Sequence, residues 1–213
     1  MTKKQTYHHG DLRRALLDAA LEILKTKDAK SISLREVARQ AGVSHTAPYR
    51  HFDDKAALLA AVAEEGFTEF GIYLQTAVDQ ANAAPIESLQ ATGEAYVRYA
   101  LEHPTHFRVM FGHFPVDEPT ESPLSKVSQG TFQILVDIIT AGQATGVLKA
   151  GDPKLLAIGR WSVVHGLAML LLDGMLNDAK ETTENLVSVL VQDSLTSIVL
   201  APEKLHETNP AKT

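Results

Sequence analysis

Residues 41–55, AGVSHTAPYRHFDDK, bring together Ser44, His45, Thr46, Tyr49, Arg50, His51 and Lys55 just after a glycine. Hydroxyls, imidazoles and cations are the groups that bond phosphate oxygens and the base edges of a duplex groove. The chain as a whole is acidic, with a formal net charge of -6, so this concentration runs against the average. We read the stretch as a surface that grips and reads DNA. On this reading His45, Thr46 and Ala47 face base edges, Ala47 by contact with a thymine methyl, and Arg35 from the preceding helix is a guanine reader. Ser33, Ser44, Tyr49, His51 and Lys55 are placed for phosphate, which positions a protein without selecting sequence.

Such a surface needs two helices joined by a tight turn, and the flanking sequence supplies them. Leu12, Leu16, Ala19, Ala20, Ile23 and Leu24 recur at helical spacing, which predicts an amphipathic helix over about 11–27 with Asp11 as its cap. Ser33 can cap a second short helix whose Leu34, Val37, Ala38 and Ala41 face inward, and Gly42 stops it. A helix-turn-helix needs a small residue at the crossing, a glycine at the turn and apolar docking residues. Ala38, Gly42 and Val43 meet those needs. Ser44 is expected to open the third, recognition helix, with Pro48 in its first turn and packed inward beside Phe52. Asp53 or Asp54 then caps a fourth, long helix that runs toward Pro85.

Charge supports the same division. Residues 1–55 hold 11 Lys and Arg against 7 acids, while the remainder holds 9 against 19. A basic end on an acidic chain steers a polyanion to that end. With 213 residues, 45% of them hydrophobic, the chain can bury a substantial core, and having no cysteine it excludes disulfides, thiol catalysis and cysteine zinc sites. The opening MTKKQTYHHGDLRR lacks the apolar run of a signal peptide, so a cytoplasmic location is expected.

Beyond Pro85 the helical pattern continues over IESLQATGEAYVRYALEH, then Pro104 to about Gly112, 124–144, 153–177 and 182–200, with no period-2 strand signal and no internal repeat. The loop PVDEPTESP, residues 115–123, is the expected flexible excursion, and the tail 202–213 is expected to be disordered. The apolar stretch from Leu155 to Leu176 contains Arg160 and His165 and is read as a buried helix rather than a membrane span. The helices near 155–176 and 186–200 are apolar over more of their circumference than one intramolecular contact covers, which suggests a homodimer. Aromatic and histidine residues gather at Tyr96, Tyr99, His103, His106, Phe107, Met110, Phe111, His113, Phe114, Trp161 and His165. From this cluster Tyr99, Phe107, Met110, Phe111, Trp161 and His165 are taken as the lining of a small-molecule pocket, since such cavities are mostly apolar with a few polar groups. Ordinary core packing is the competing reading for each of them.

From Gly10 to Leu59 the chain resembles the tetracycline-repressor (TetR) family of bacterial one-component regulators. The resemblance rests on Leu16, Ala19 and Ala20, on SLREVARQAGVS at 33–44, on YRHF at 49–52, and on Lys55 with Leu58 and Leu59. Pro48 departs from the non-proline apolar residue usual in the family, a difference that bears on the pitch of the recognition helix. WSVVHG at 161–166 is similar to the Trp-His-Gly signature of one group of C-terminal domains in that family. The resemblance implies an all-helical homodimer with a helix-turn-helix domain at 1–55 and a larger ligand-binding and dimerisation domain at 56–201. It further implies a palindromic operator, a small-molecule effector and release of DNA on ligand binding, with no cofactor or metal.

Other classes of function fare less well. A metal enzyme built on His103, His106 and His113 is interrupted by Pro104 and lacks an obvious carboxylate to complete a ligand set. No nucleophile-elbow or phosphate-binding glycine loop occurs. A helical interaction module using the aromatic cluster leaves the basic first 55 residues unexplained.

Overall fold

The computed structural model describes residues 9–112, 121–176 and 182–200. Among them the fold is all-helical, as expected, with α1 (His9–Leu24), α2 (Leu34–Gln40), a 3-10 turn (Pro48–Arg50), α3 (Lys55–Gln80), α4 (Pro85–Glu102), α5 (Pro104–Met110), α6 (Pro123–Ala144), α7 (Pro153–Leu172) and α8 (Thr183–Leu195). Asp11's side chain, His113 and Phe114, most of the 115–123 loop, and the tail 202–213 lie outside the described residues.

Two compact units emerge, one from residues up to Phe67 together with Thr105–Val127, the other from Thr68–Pro104 together with residues from Ser128 onward. The division does not follow the expected line at residue 55. The first half of α3 presents Leu58, Leu59, Ala61, Val62 and Ala63 to the core that also holds Leu16, Leu17, Ala20 and Ile23 of α1, and Val109 of α5 and Leu124 of α6 join it. Side chains three and four apart on one long helix thus enter the same interior as α1.

In the first unit, α2 is bounded by two local devices. Ser33 has extended backbone and its Oγ accepts a bond from the Glu36 N–H at 3.3 Å, which satisfies one of the orphan donors of the first turn. At the other end Gly42 takes φ +69°. The Val43 N–H then donates to the Ala38 carbonyl at 3.0 Å and the Gly42 N–H to the Arg39 carbonyl at 3.2 Å. This is the paired-bond helix terminus that glycine makes possible. Asp54 caps α3 by accepting from the Ala57 N–H at 2.8 Å.

In the second unit α4 packs on α7 and α8. Gly93 permits the close approach, because a Cβ there would lie 2.8 Å from Val191 of α8. The core gathers Leu89, Val136, Ile138, Ile139, Leu148, Ala157, Leu195 and Ile198. The last helix ends at Leu195 rather than running to 200. Leu148 and Val199 instead form an isolated antiparallel bridge, with the Lys149 N–H donating to the Ile198 carbonyl at 2.9 Å and the Leu200 N–H to the Val147 carbonyl at 3.1 Å. Pairing with another segment satisfies the backbone groups that the helix leaves open.

One expectation needs correction. The apolar stretch beginning at Leu155 is buried on one side only: Ala157, Val164, Leu167 and Ala168 point inward, while Leu155, Ile158, Val163 and Leu170 are exposed. A single helix packed on one layer of neighbours covers one face, and the composition of α7 is apolar on both.

Helix α3 closes with Asn82 at φ +52° and Ala83 at φ +55°. Asparagine tolerates the left-handed region, whereas alanine is destabilised there by about 1–2 kcal/mol. Ala83→Gly is therefore expected to stabilise the protein by about 0.5–1 kcal/mol after allowing for glycine's looser unfolded chain. Urea denaturation checks this, the expected result being a higher midpoint at unchanged slope.

Candidate DNA interface and ligand site

The segment after Gly42 is helical in sense but tighter than the expected recognition helix. Pro48 has no N–H to donate to the Ser44 carbonyl, and that carbonyl accepts instead from the Ala47 N–H at 2.9 Å. The Arg50 N–H follows with a bond to the Ala47 carbonyl at 3.2 Å, and the His51 and Phe52 N–H groups both reach the Pro48 carbonyl at 2.9 Å. The expected α-helix from Ser44 is thus a turn followed by a 3-10 turn at Pro48–Arg50. Pro48 and Phe52 are buried, as their inward reading requires, and Arg13 of α1 lies 5.7 Å over the Phe52 ring.

With those two anchored, Ser44, His45, Thr46, Tyr49 and Arg50 are exposed and Ala47 is half-buried. Ser44 Oγ and Thr46 Oγ1 share a bond at 3.2 Å, which holds the leading end of the turn. Arg35 is exposed on α2, and Ser33, although its oxygen caps that helix, stays exposed with a hydroxyl hydrogen to give. Lys55 donates one N–H to the Lys30 carbonyl at 2.8 Å, which ties the start of α3 to the α1–α2 connection. An ammonium has two further donors. Arg50, to which the sequence assigned no role, stands exposed beside Tyr49 and extends the polar face. Its motif position was visible, but only the turn geometry shows that it projects.

His51 departs from its expected phosphate role. The ring is half-buried, its Nε2 is shielded from solvent with no hydrogen-bond partner, and it lies tilted 6.4 Å from Phe52. The tighter turn rotates position 51 toward the buried Phe52, so only Nδ1 remains for an outside partner.

The six residues expected to line a pocket are divided between the two units. Phe107, Met110 and Phe111 belong to the first unit, where Phe111 packs against Phe107 at 4.8 Å and edge-on to Phe67 at 5.4 Å, and Met110 fills the space above Gly66. Tyr99, Trp161 and His165 belong to the second. There the polar centre is Tyr96, which the sequence placed in the aromatic cluster but not among the six. The Trp161 Nε1–H donates to the Tyr96 hydroxyl at 3.0 Å, and that hydroxyl lies 2.8 Å from His165 Nδ1. Either member of that pair can donate, according to the His165 tautomer. Phe70 connects this group to Tyr99, with its ring 5.0 Å from Tyr96 and 4.9 Å from Tyr99, and Tyr99 stacks on His103 at 4.6 Å. Tyr99 itself is fully buried. The spacing of Trp161 and His165, four apart on α7, was the available signal, but their common partner lies on α4.

Burial shifts both titrating members of the group. Burial pushes the Tyr96 hydroxyl well above its ordinary 10, and burial lowers His165 below 6.5. Both are therefore neutral near pH 7, the state in which the hydrogen-bond chain from Trp161 is complete.

Comparison with known proteins gives a consistent picture. A family model described as "Bacterial regulatory proteins, tetR family" matches residues 16–62, and one described as "Tetracyclin repressor-like, C-terminal domain" matches residues 89–193. That second description names no Trp-His-Gly subgroup. The chain is 43% identical over 70 residues to an HTH-type transcriptional regulator of Haemophilus influenzae, a match that spans 32% of this chain and 32% of that relative. Among solved structures, a Rhodococcus sp. RHA1 protein of unknown function superposes with a TM-score of 0.80 at 35% identity, covering 92% of this chain and 100% of that one. A regulatory protein in the tetR family from Rhodococcus RHA1 superposes with a TM-score of 0.73 at 21% identity, covering 89% and 98%.

The His165 environment carries a pH signature. The unfolded chain binds a proton at this site near pH 6.5 while the folded chain binds it only at lower pH. The stability it contributes is complete above about pH 6.5 and is lost as pH falls toward the folded value. Chemical denaturation between pH 5 and pH 8 is expected to show that loss in the wild type and a smaller one in His165→Gln. Equal pH slopes in the two proteins would remove the assignment. Tyr96→Phe, which leaves the Trp161 N–H without its acceptor, is expected to cost about 1–3 kcal/mol.

Proposed function

This chain belongs to the tetracycline-repressor family of bacterial transcriptional regulators, which makes it a DNA-binding regulator and not an enzyme, and from that premise we propose that it is a ligand-responsive repressor. It binds a palindromic operator as a homodimer and is released by a small molecule. The observation that carries the reading is the exposed set Ser44, His45, Thr46, Tyr49 and Arg50, held outward by the burial of Pro48 and Phe52.

In this proposal His45, Thr46 and Ala47 meet base edges with Arg35, while Ser33, Ser44, Tyr49 and Lys55 hold phosphates, with Arg50 added and His51 limited to Nδ1. Two-fold symmetry sets the two reading turns about 34–36 Å apart, one turn of duplex. The dimer forms through the exposed apolar side of α7, where Leu155, Ile158, Val163 and Leu170 accompany Gly159 and Gly166, and through Val189 and Leu190 of α8. A Cβ at either glycine would meet nothing within 4 Å in the single chain, which leaves room for the backbone of a partner helix. The effector contacts are assigned to the second unit, at Tyr96, Tyr99, Trp161 and His165. The Trp-His-Gly subgrouping is part of the same proposal, as is a cytoplasmic location.

Helix α3 starts beside the reading turn and contributes its second half, including Phe70, to the unit that holds the effector contacts. A ligand that favours a different setting of this helix opposes DNA through a reciprocal coupling, typically about 1–3 kcal/mol.

Selection of bound fragments from genomic DNA supplies the operator. On that fragment Lys55→Ala is expected to weaken binding and to lower the slope of log affinity against log salt by about 0.9, whereas Thr46→Leu changes base preference at one position per half-site. Retention of wild-type binding by Thr46→Leu, Tyr49→Glu and Lys55→Ala together would end the DNA-reading assignment. Ile158→Asp with Leu170→Asp is expected to convert a dimer, measured by light scattering at micromolar protein, into a folded monomer that no longer binds the operator tightly.

A further inference from the structure

Between α1 and the start of α3 the cations fall into two sets. Arg14 pairs with Asp18 at 2.5 Å and with Glu65 at 2.7 Å, Lys25 with Glu22 at 2.5 Å, and Lys27 with Glu36 at 2.5 Å, which Arg39 also approaches at 3.9 Å. Arg13, Lys30, Arg35, Arg50 and Lys55 enter no ion pair among the described residues. A polyanion that approaches a paired cation also meets its carboxylate, so the net attraction comes from the unpaired set. Arg35, Arg50 and Lys55 of that set belong to the proposed DNA-facing surface. Arg13 stands apart from them in the chain, on α1.

One contact says where Arg13 stands in the fold. Its guanidinium carbon lies 5.7 Å from the centroid of the Phe52 ring, within the range of cation–π attraction. Phe52 is buried and its N–H bonds the Pro48 carbonyl at 2.9 Å, so the ring is a fixed part of the reading turn. Arg13 is itself exposed. An arginine stacked on an aromatic face keeps its planar N–H fork available to a bidentate partner. Its neighbour Arg14, about 100° further round α1, is turned instead to Glu65 of α3. Adjacent arginines of α1 thus do different work: Arg14 ties α1 to α3, and Arg13 is held beside the ring that follows Tyr49 and Arg50.

We infer that Arg13 is a phosphate-binding residue of the operator complex, held by Phe52 so that its N–H groups take a backbone phosphate beside the bases that the turn reads. The inference rests on the DNA-binding reading above and extends the contact surface from the helix-turn-helix to α1. A guanidinium matches two phosphate oxygens at once, and a phosphate contact fixes position without carrying base information. Since Phe52 closes the reading turn, its ring ties this phosphate contact to the segment that carries Thr46 and Tyr49.

The test uses the full chain with the selected operator fragment and an unrelated duplex of equal length. Binding of wild type, Arg13→Met, Arg13→Lys, Lys25→Ala and Lys55→Ala is followed by fluorescence anisotropy over a series of salt concentrations. Arg13→Met keeps an apolar side chain against Phe52 and removes the charge. It is expected to weaken binding to both duplexes by a similar factor, to lower the slope of log affinity against log salt by about 0.9, and to leave base preference as in wild type. Arg13→Lys is expected to keep the slope with weaker binding, because an ammonium retains the charge without the fork. Lys25→Ala, whose ammonium already pairs with Glu22, is expected to leave the slope unchanged. A wild-type slope in Arg13→Met beside a lowered slope in Lys55→Ala would overturn the inference and leave the DNA-reading assignment standing. Wild-type slopes in both would remove both. A changed base preference in Arg13→Met, or a marked fall in its unfolding temperature, would make Arg13 a support of the turn through Phe52 and overturn its phosphate role.

Discussion

At Gly42 the backbone turns left-handed, and the bonds from Val43 to Ala38 and from Gly42 to Arg39 close α2 before it can continue. The proposed DNA-facing surface depends on that reversal. It brings Pro48 into the interior of the first unit, and with Pro48 and Phe52 buried, Ser44, His45, Thr46, Tyr49 and Arg50 are left exposed. A side chain with a Cβ at position 42 would meet no atom, yet it would resist the φ that the reversal demands. The constraint is thus conformational rather than one of space.

The same turn shows how a backbone deficit shapes a reading surface. Proline removes the N–H that would have continued an α-helix, and the chain answers with three-residue bonds that tighten its path. Thr46 and Tyr49 stay outside, while His51 rolls toward Phe52 and loses one nitrogen to the interior. Lys55, at the start of α3, bonds the Lys30 carbonyl with one of its three ammonium donors.

In the second unit, α7 must serve two faces with one nearly uniform composition. Its inward face meets α4, where Tyr96 links Trp161 to His165. Its outward face is equally apolar and stands exposed among the described residues. Arg160 stands at the margin of the inward face, where polar satisfaction is incomplete, in contrast to the closed bonding of the tyrosine-centred group.

Local chemistry was legible in the sequence. Ser33 and Asp54 cap the helices they precede, Gly42 ends α2, and the helical spacing of Leu16, Ala20 and Ile23 locates α1, because each of these depends on residues within one turn of one another. The motif from Ser33 to Lys55 likewise carried the family. What depends on partners distant in the chain was decided by tertiary structure. The aromatic cluster looked continuous along the sequence, but packing sent Phe107, Met110 and Phe111 to one unit and Tyr99, Trp161 and His165 to the other, and made Tyr96 the polar centre. The end of α8 was set by a bridge to residues about 50 positions earlier. Periodicity tells which residues share a face of a helix, and only the packed neighbours determine whether that face meets a core, a hydrogen-bond partner or nothing.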